Sequence, residues 1–245
     1  MRVGIRSSAT TSSDAAHAVP SNPSSDLDRK LACEHAPLRI ARMQERTLAL
    51  GPGTRCVIWF QGCSLSCQGC IAASMNAAPP LFLTTPGLLA DWCLSLDGVD
   101  GVTLSGGDPF DQPLEPLAEF METIRLRSQL SVLAYTGRTL DRLNLSSDPA
   151  VKRCLDAIDI LVDGLYVESL NDGQGWRGSS NQIVHALGPR SAGAADGAVA
   201  QRRVELTVSA EGRVAFTGIP RRGHGRSIAQ RLADFERASS TEKPA

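Results

Sequence analysis

Cys56-Val57-Ile58-Trp59-Phe60-Gln61-Gly62-Cys63-Ser64-Leu65-Ser66-Cys67-Gln68-Gly69-Cys70 carries a short apolar run straight into three cysteines at C-x3-C-x2-C spacing. Val57, Ile58, Trp59 and Phe60 favour a pleated strand, and Gly51-Pro52-Gly53 punctuates the chain just before it. Three thiolates on one loop are one ligand short of a closed structural zinc or ordinary iron-sulfur site. Cys56 or Cys93 could supply a fourth, but structural zinc sites usually pair two cysteine knuckles and no second knuckle is present. A self-contained electron-carrier cluster also needs its fourth cysteine in a recognisable run. Soft thiolates suit iron-sulfur clusters. The remaining reading is a 4Fe-4S cluster on Cys63, Cys67 and Cys70, with one iron open to a further ligand.

Downstream, strand and helix patterns alternate. Thr85 caps a helix that starts at Pro86 and places Leu88, Leu89, Trp92 and Leu96 on one side. Val102-Thr103-Leu104 is a short strand ending in Ser105-Gly106-Gly107-Asp108-Pro109. A helix follows with Leu114, Leu117, Met121 and Ile124 on one stripe. The strand Leu130 to Tyr135 ends in Thr136-Gly137, a shorter helical stretch runs to about residue 158, and the strand Asp159 to Val162 ends in Asp163-Gly164. This rhythm predicts an α/β fold with a parallel sheet and crossover helices, its glycine-rich and polar loops sharing the carboxyl rim where such folds bind ligands.

The flanks read differently. Residues 1–36 are rich in Ser, Ala, Thr, Asp and Pro without periodicity and are expected to be a disordered tail. The core is expected over residues 37–190. Residues 191–200 read as an Ala/Gly linker and residues 201–245 as an appended hairpin plus helix. In the hairpin Val204, Leu206 and Val208 alternate before Glu211-Gly212, and Val214 and Phe216 after it. Ser227 caps the final helix, with Ile228, Leu232 and Phe235 on one stripe.

A net charge of −1, from 25 basic and 26 acidic residues, gives no global field for nucleic acid or an anionic membrane, so neither is an expected partner. No apolar run approaches the roughly 20 residues that span a bilayer. An odd count of seven cysteines argues for reduced thiols, and a cytoplasmic location is expected.

The cysteine triplet resembles the signature of the radical S-adenosylmethionine superfamily. Gly106-Gly107-Asp108-Pro109 looks like that superfamily's glycine-rich motif. Gly51 to Cys56, Tyr135-Thr136-Gly137, Leu161-Val162-Asp163-Gly164 and Trp176-Arg177-Gly178-Ser179-Ser180-Asn181-Gln182 are similar, in order, to stretches of the anaerobic ribonucleotide reductase activating proteins. The resemblance implies a partial (βα) barrel. It implies S-adenosylmethionine chelated to the open iron, with Gly69, Gly106, Gly107, Asp108, Thr136, Asp163, Arg177 and Asn181 around the cofactor. It also implies one-electron cleavage of the sulfonium to methionine and a deoxyadenosyl radical that abstracts hydrogen from a glycine of a partner enzyme. An electron donor such as flavodoxin or ferredoxin would feed the cluster.

Without the resemblance, Gly-Gly-Asp-Pro is an ordinary turn, Thr136 and Asp163 are local caps, and Arg177 and Asn181 are polar residues bonded to each other. Two features depart from the family pattern: Ile71-Ala72 stands where an aromatic-Asn pair is expected, and the chain continues beyond the Arg177 to Gln182 stretch. Other readings are a radical enzyme that modifies a peptide or metabolite, and a non-catalytic iron-sulfur or zinc module. Replacing Cys63, Cys67 or Cys70 singly with Ala is expected to abolish S-adenosylmethionine cleavage, while Cys33 and Cys154 are dispensable. Iron content and deoxyadenosine yield measure both, and loss of the cluster in Cys56→Ala would contradict an open site.

Overall fold

A run of alternating faces along the strands organises the computed structural model, which describes residues 36–77, 79–80, 82–208 and 214–223. The strands are β1 (Leu38–Thr47), β2 (Arg55–Phe60), β3 (Phe82–Thr84), β4 (Gly101–Gly106), β5 (Ser131–Tyr135), β6 (Ile160–Asp163) and β7 (Ile183–Ala186). They form one sheet in the order β3-β1-β2-β4-β5-β6-β7. The helices are α1 (Ser74–Ala77), α2 (Pro86–Leu94), α3 (Leu114–Arg127), α4 (Leu140–Asn144) and α5 (Pro149–Ala157).

The fold is α/β with a mixed, mostly parallel core. Strands β2, β4, β5 and β6 are parallel neighbours, whereas β1 and β3 on one side and β7 on the other run antiparallel. The wholly parallel sheet expected from the strand-helix rhythm is therefore corrected at both edges. A parallel pairing needs a long crossover, usually helical. The β1-to-β2 connection is short and turns through Gly51 and Gly53 at positive φ, and the β6-to-β7 connection holds only turns and a 3-10 turn at Glu168–Leu170.

Helix α2 begins at Pro86 with the Thr85 hydroxyl accepting from the Leu88 amide, as its sequence predicts. Its buried face is Leu89, Ala90 and Cys93, while Leu88 is 36% exposed. Apolar residues are so dense along this helix that spacing alone does not choose its inward side. The stripe on α3 is as expected, with Leu117, Met121 and Ile124 buried together with Ala118 and Phe120.

One face of the sheet packs on α2, α3 and α5 through Cys56, Ile58, Phe60, Val102, Leu104, Val132 and Ala134. The opposite face presents Val57 and Trp59 to Ala49, Leu50 and Ile219, and Leu133, Ile160 and Val162 to Ala194 and Trp176. The Ala/Gly-rich 191–200 stretch, expected as a linker, forms turns and a 3-10 segment at Ala195–Ala198 packed on this face. Small side chains let it lie close: a Cβ on Gly197 would meet the Trp176 ring at 2.4 Å. The appended hairpin is present as β8 (Val204–Val208) paired antiparallel with β9 (Val214–Gly218). The 1–35 segment, the Glu211-Gly212 turn, the helix begun at Ser227 and Cys33 lie outside the described residues.

Arg55, wholly buried at the start of β2, ties the parallel strands together. Its guanidinium donates to Thr103 Oγ1 at 2.9 Å, Ser131 Oγ at 2.6 Å, the Val102 carbonyl at 2.6 Å and the Ser131 carbonyl at 2.9 Å. Burial lowers its pKa to about 10, with partial compensation from surrounding negative groups. Only a planar fork of donors serves four acceptors on two strands at once. Arg55→Ala is expected to cost about 3 kcal/mol or more of folding stability by stranding buried carbonyls, measured by urea unfolding.

Candidate active site

The cysteine loop is placed by main-chain contact between the ends of β2 and β4. Phe60 pairs with Gly106, the Gly107 amide donates to the Phe60 carbonyl at 2.7 Å, and the Asp108 amide donates to the Gly62 carbonyl at 3.1 Å. Gly106 has φ +90, and a Cβ there would meet Phe60 main-chain atoms at 2.8 Å; a Cβ on Gly107 would lie 2.0 Å from the Gly62 oxygen. These two glycines are thus required by the approach of one chain segment to another. Within the loop, Ser66 and Gly69 take positive φ, and the Cys70 amide donates to the Cys67 carbonyl at 3.2 Å.

A network of side chains then fastens the loop. Asp111 accepts from the Ser64 amide at 2.6 Å and the Ser64 hydroxyl at 3.1 Å. Arg138 donates to Asp111 at 2.7 Å, and its second terminal nitrogen lies 3.3 Å from Asp108 without hydrogen-bond alignment. Asp108 is 4% exposed and accepts from the Phe110 amide at 2.9 Å, the Thr136 hydroxyl at 2.9 Å and the Gly137 amide at 3.0 Å. Burial pushes its carboxyl above the ordinary range against the opposing pull of Arg138 and these donors.

Cys63, Cys67 and Cys70 line one cavity of about 730 Å³ with Gly69, Gly106, Gly107, Asp108 and Thr136. That volume lies within the roughly 300–1,000 Å³ of small-ligand sites. Asp163, Arg177 and Asn181 do not line it. Asp163 accepts from the Leu140 amide at 2.6 Å; Arg177 pairs with Asp172 at 2.9 Å; Asn181 donates to the Leu165 carbonyl at 2.8 Å. Arg177 and Asn181 thus bond separate partners, Asp172 and Leu165.

Gln182, the last residue of the Trp176 to Gln182 stretch, lines the cavity, as do Arg42 and Glu168, which no sequence signal set apart. Gln182 accepts from the Gly178 amide at 2.8 Å and donates to the Gly164 carbonyl at 2.7 Å, closing the loop after β6. Arg42 stacks on the Trp59 ring at 4.5 Å. A Cβ on Gly69 would meet the Glu168 carboxylate at 2.7 Å, so the close approach at Gly69 is to this side chain.

The donor set fits an iron-sulfur cluster and a bound organic ligand. Three thiols open onto one cavity beside main-chain polar groups, and the Tyr135 hydroxyl, on a cavity-lining residue, is buried without a hydrogen-bond partner. Burial raises the Cys70 thiol and the neighbouring Cys67 and Cys63 raise it further, the mutual repulsion that bound iron relieves. Among the described residues, no group of three His, Cys, Asp or Glu side chains converges on a point suited to a single ion. No helix among them is long and apolar enough to cross a membrane.

The Asp111 carboxyl is pushed up by burial but pulled further down by the Ser64 amide, Arg138 and the Ser64 hydroxyl, so it sits below the usual aspartate range. A lowered folded-state pKa adds stability that is complete above the unfolded-state value and vanishes as pH falls through the folded one. The stability margin of the native chain over Asp111→Asn is expected to be widest near neutral pH and to close as pH falls below about 4, measured by urea unfolding over a pH series.

The family described as 4Fe-4S single cluster domain matches residues 49–185, which contain the cysteine loop, the Gly106-Gly107-Asp108 strand end and the loop after β6. The anaerobic ribonucleoside-triphosphate reductase-activating protein of Escherichia coli K12 is 35% identical over 144 residues, 56% of this chain and 91% of that protein. The protein of the same name from Haemophilus influenzae is 33% identical over 149 residues, 55% of this chain and 89% of its own. That from Enterobacteria phage T4 is 30% identical over 136 residues, 54% and 83% respectively. With its thiols, strand ends and glycines in this arrangement, the chain belongs to the family of anaerobic ribonucleoside-triphosphate reductase-activating proteins, built on a 4Fe-4S single cluster domain.

Proposed function

We propose that this chain is a radical S-adenosylmethionine enzyme that activates an anaerobic ribonucleotide reductase by forming a glycyl radical on it. The observation that carries the reading is the opening of Cys63, Cys67 and Cys70 onto one cavity with the Gly106-Gly107-Asp108 strand end. Cys63, Cys67 and Cys70 would hold a 4Fe-4S cluster with an iron open to S-adenosylmethionine. When bound, cluster and cofactor supply one-electron cleavage of a sulfonium carbon-sulfur bond and the hydrogen abstraction that follows.

The protein's part is placement and exclusion of water. Gly106 and Gly107 bring main-chain polar groups to the cavity rim. Asp108, its lone pairs taken by Phe110, Thr136 and Gly137, fixes that rim and leaves a negative charge beside the ligand's ammonium. Thr136 and Gly69 line the same cavity. Asp163, Arg177 and Asn181 act a step behind the ligand by fixing the loops after β5 and β6. Helices on one sheet face and a cavity on the carboxyl side suit a partial (βα) barrel over residues 37–190, with residues 201–245 as an extension. Flavodoxin or ferredoxin is the fitting electron donor, since the cluster must reach a low potential.

Anaerobic reconstitution with iron and sulfide, followed by reduction with S-adenosylmethionine present, is expected to yield methionine and deoxyadenosine in equal amounts. With the reductase added, a glycine-centred electron paramagnetic resonance signal is expected on that partner. A loaded, reduced cluster that yields neither product overturns the enzyme reading. Products without a glycine signal would move the target to another peptide or a metabolite.

A further inference from the structure

The family match ends at residue 185, yet nine consecutive residues beyond it, 215–223, line the same cavity as the three cysteines. They are held from two directions. On one side, Arg42 of β1 donates to the Phe216 carbonyl at 3.0 Å and the Thr217 hydroxyl at 3.0 Å, and Glu205 of β8 accepts from the Leu48 amide at 2.7 Å. On the other, the Pro220 carbonyl accepts from Asn171 at 3.2 Å and from Arg202 at 3.2 Å. Asn171 belongs to the connection between β6 and β7.

In the sheet order, β1 and β6 are separated by β2, β4 and β5. A strap fixed at β1 and at the loop after β6 therefore crosses the sheet face that carries no helix. Ile219 packs in that crossing against the buried cluster of Ala49, Leu50, Val57 and Trp59, as Tyr135 of β5 also does. Thr217 is 1% exposed, and Gly218 turns at φ +118 where a Cβ would meet the Arg203 carbonyl at 2.4 Å. The strap is thus seated, held directly by Arg42 and, through its partner strand β8, by the Glu205 bond to Leu48.

We infer that residues 215–223 are a built wall of the ligand cavity, so that in this chain the extension encloses bound S-adenosylmethionine through the apolar side chains of Phe216, Ile219 and Pro220. This rests on the proposed function, which names the ligand. The apolar wall suits the uncharged face of a nucleoside, while the polar Gly106 to Asp108 rim of the same cavity suits its amino-acid end.

The test is hydrogen exchange on the full-length, anaerobically reconstituted chain with and without S-adenosylmethionine. Ligand is expected to slow exchange about tenfold in peptides covering both 105–108 and 215–223. Protection at 105–108 alone overturns the wall and leaves the proposed function standing; protection at neither overturns both. Two variants supply an affinity readout. Ile219→Ala is expected to weaken S-adenosylmethionine binding about fivefold. Glu205→Gln, outside the cavity, is expected to speed exchange in 214–218 and weaken binding with it. Unchanged affinity in a Glu205→Gln protein whose hairpin exchanges faster would overturn the inference.

Discussion

The site depends on one close approach: the main chain of Gly106 and Gly107 lies against the main chain from Trp59 to Gly62. A side chain at either glycine would occupy space held by backbone atoms, at 2.8 Å for Gly106 and 2.0 Å for Gly107. Because backbone has no flexible end to move aside, any Cβ there forces β2 and β4 apart at their carboxyl ends. The cysteine loop leaves from that end of β2. Its position relative to the ligand rim is therefore set by sterics and by two amide-carbonyl bonds, before any metal binds.

Charge bookkeeping around the loop follows from this arrangement. Asp108 and Asp111 bring two carboxylates near a set of thiols, an arrangement that repels electrons added to a cluster unless balanced. Arg138 lies between both carboxylates, and its pKa is held up against burial by Asp111 and Asp108, with a further contribution from Cys63. The guanidinium therefore both fastens the two segments and offsets their charge. A lysine at this place would supply one charge without the fork that reaches two carboxylates.

What was legible in the sequence was local. The cysteine spacing, the Thr85 cap with Pro86, the α3 stripe and the glycine-rich end of β4 depend on neighbours within a few residues. The antiparallel edges were not legible, because β1 has an irregular register against β2 around Arg42 and β7 is largely exposed, so neither carries a clean pattern. The role of Asp108 as a buckle depends on Thr136, Gly137 and Arg138, which are remote in sequence. Arg55 carried no local signal of burial, because the acceptors that make it a wholly buried tie between strands, Val102, Thr103 and Ser131, are remote in sequence. Ala and Gly in 191–200 suggested a linker, whereas smallness there serves close packing on Trp176.

The same sheet also accounts for where chain beyond the matched domain packs. Parallel strands expose apolar side chains on both faces and are stable only when both are covered. Among the described residues, α2, α3 and α5 cover one face. Val57, Trp59, Leu133, Ile160 and Val162 on the other are met by loop residues Ala49 and Leu50, by Ala194 and Trp176, and by Ile219. Ala194 and Ile219 come from beyond residue 185, where the family match ends. Covering that face with a helix would fill the volume now open as a cavity; a thin strap of small and apolar residues covers it while leaving room beside the cysteines. Burial of the sheet and preservation of a ligand space thus pull in opposite directions, and the extension's narrow backbone is the geometry that satisfies both.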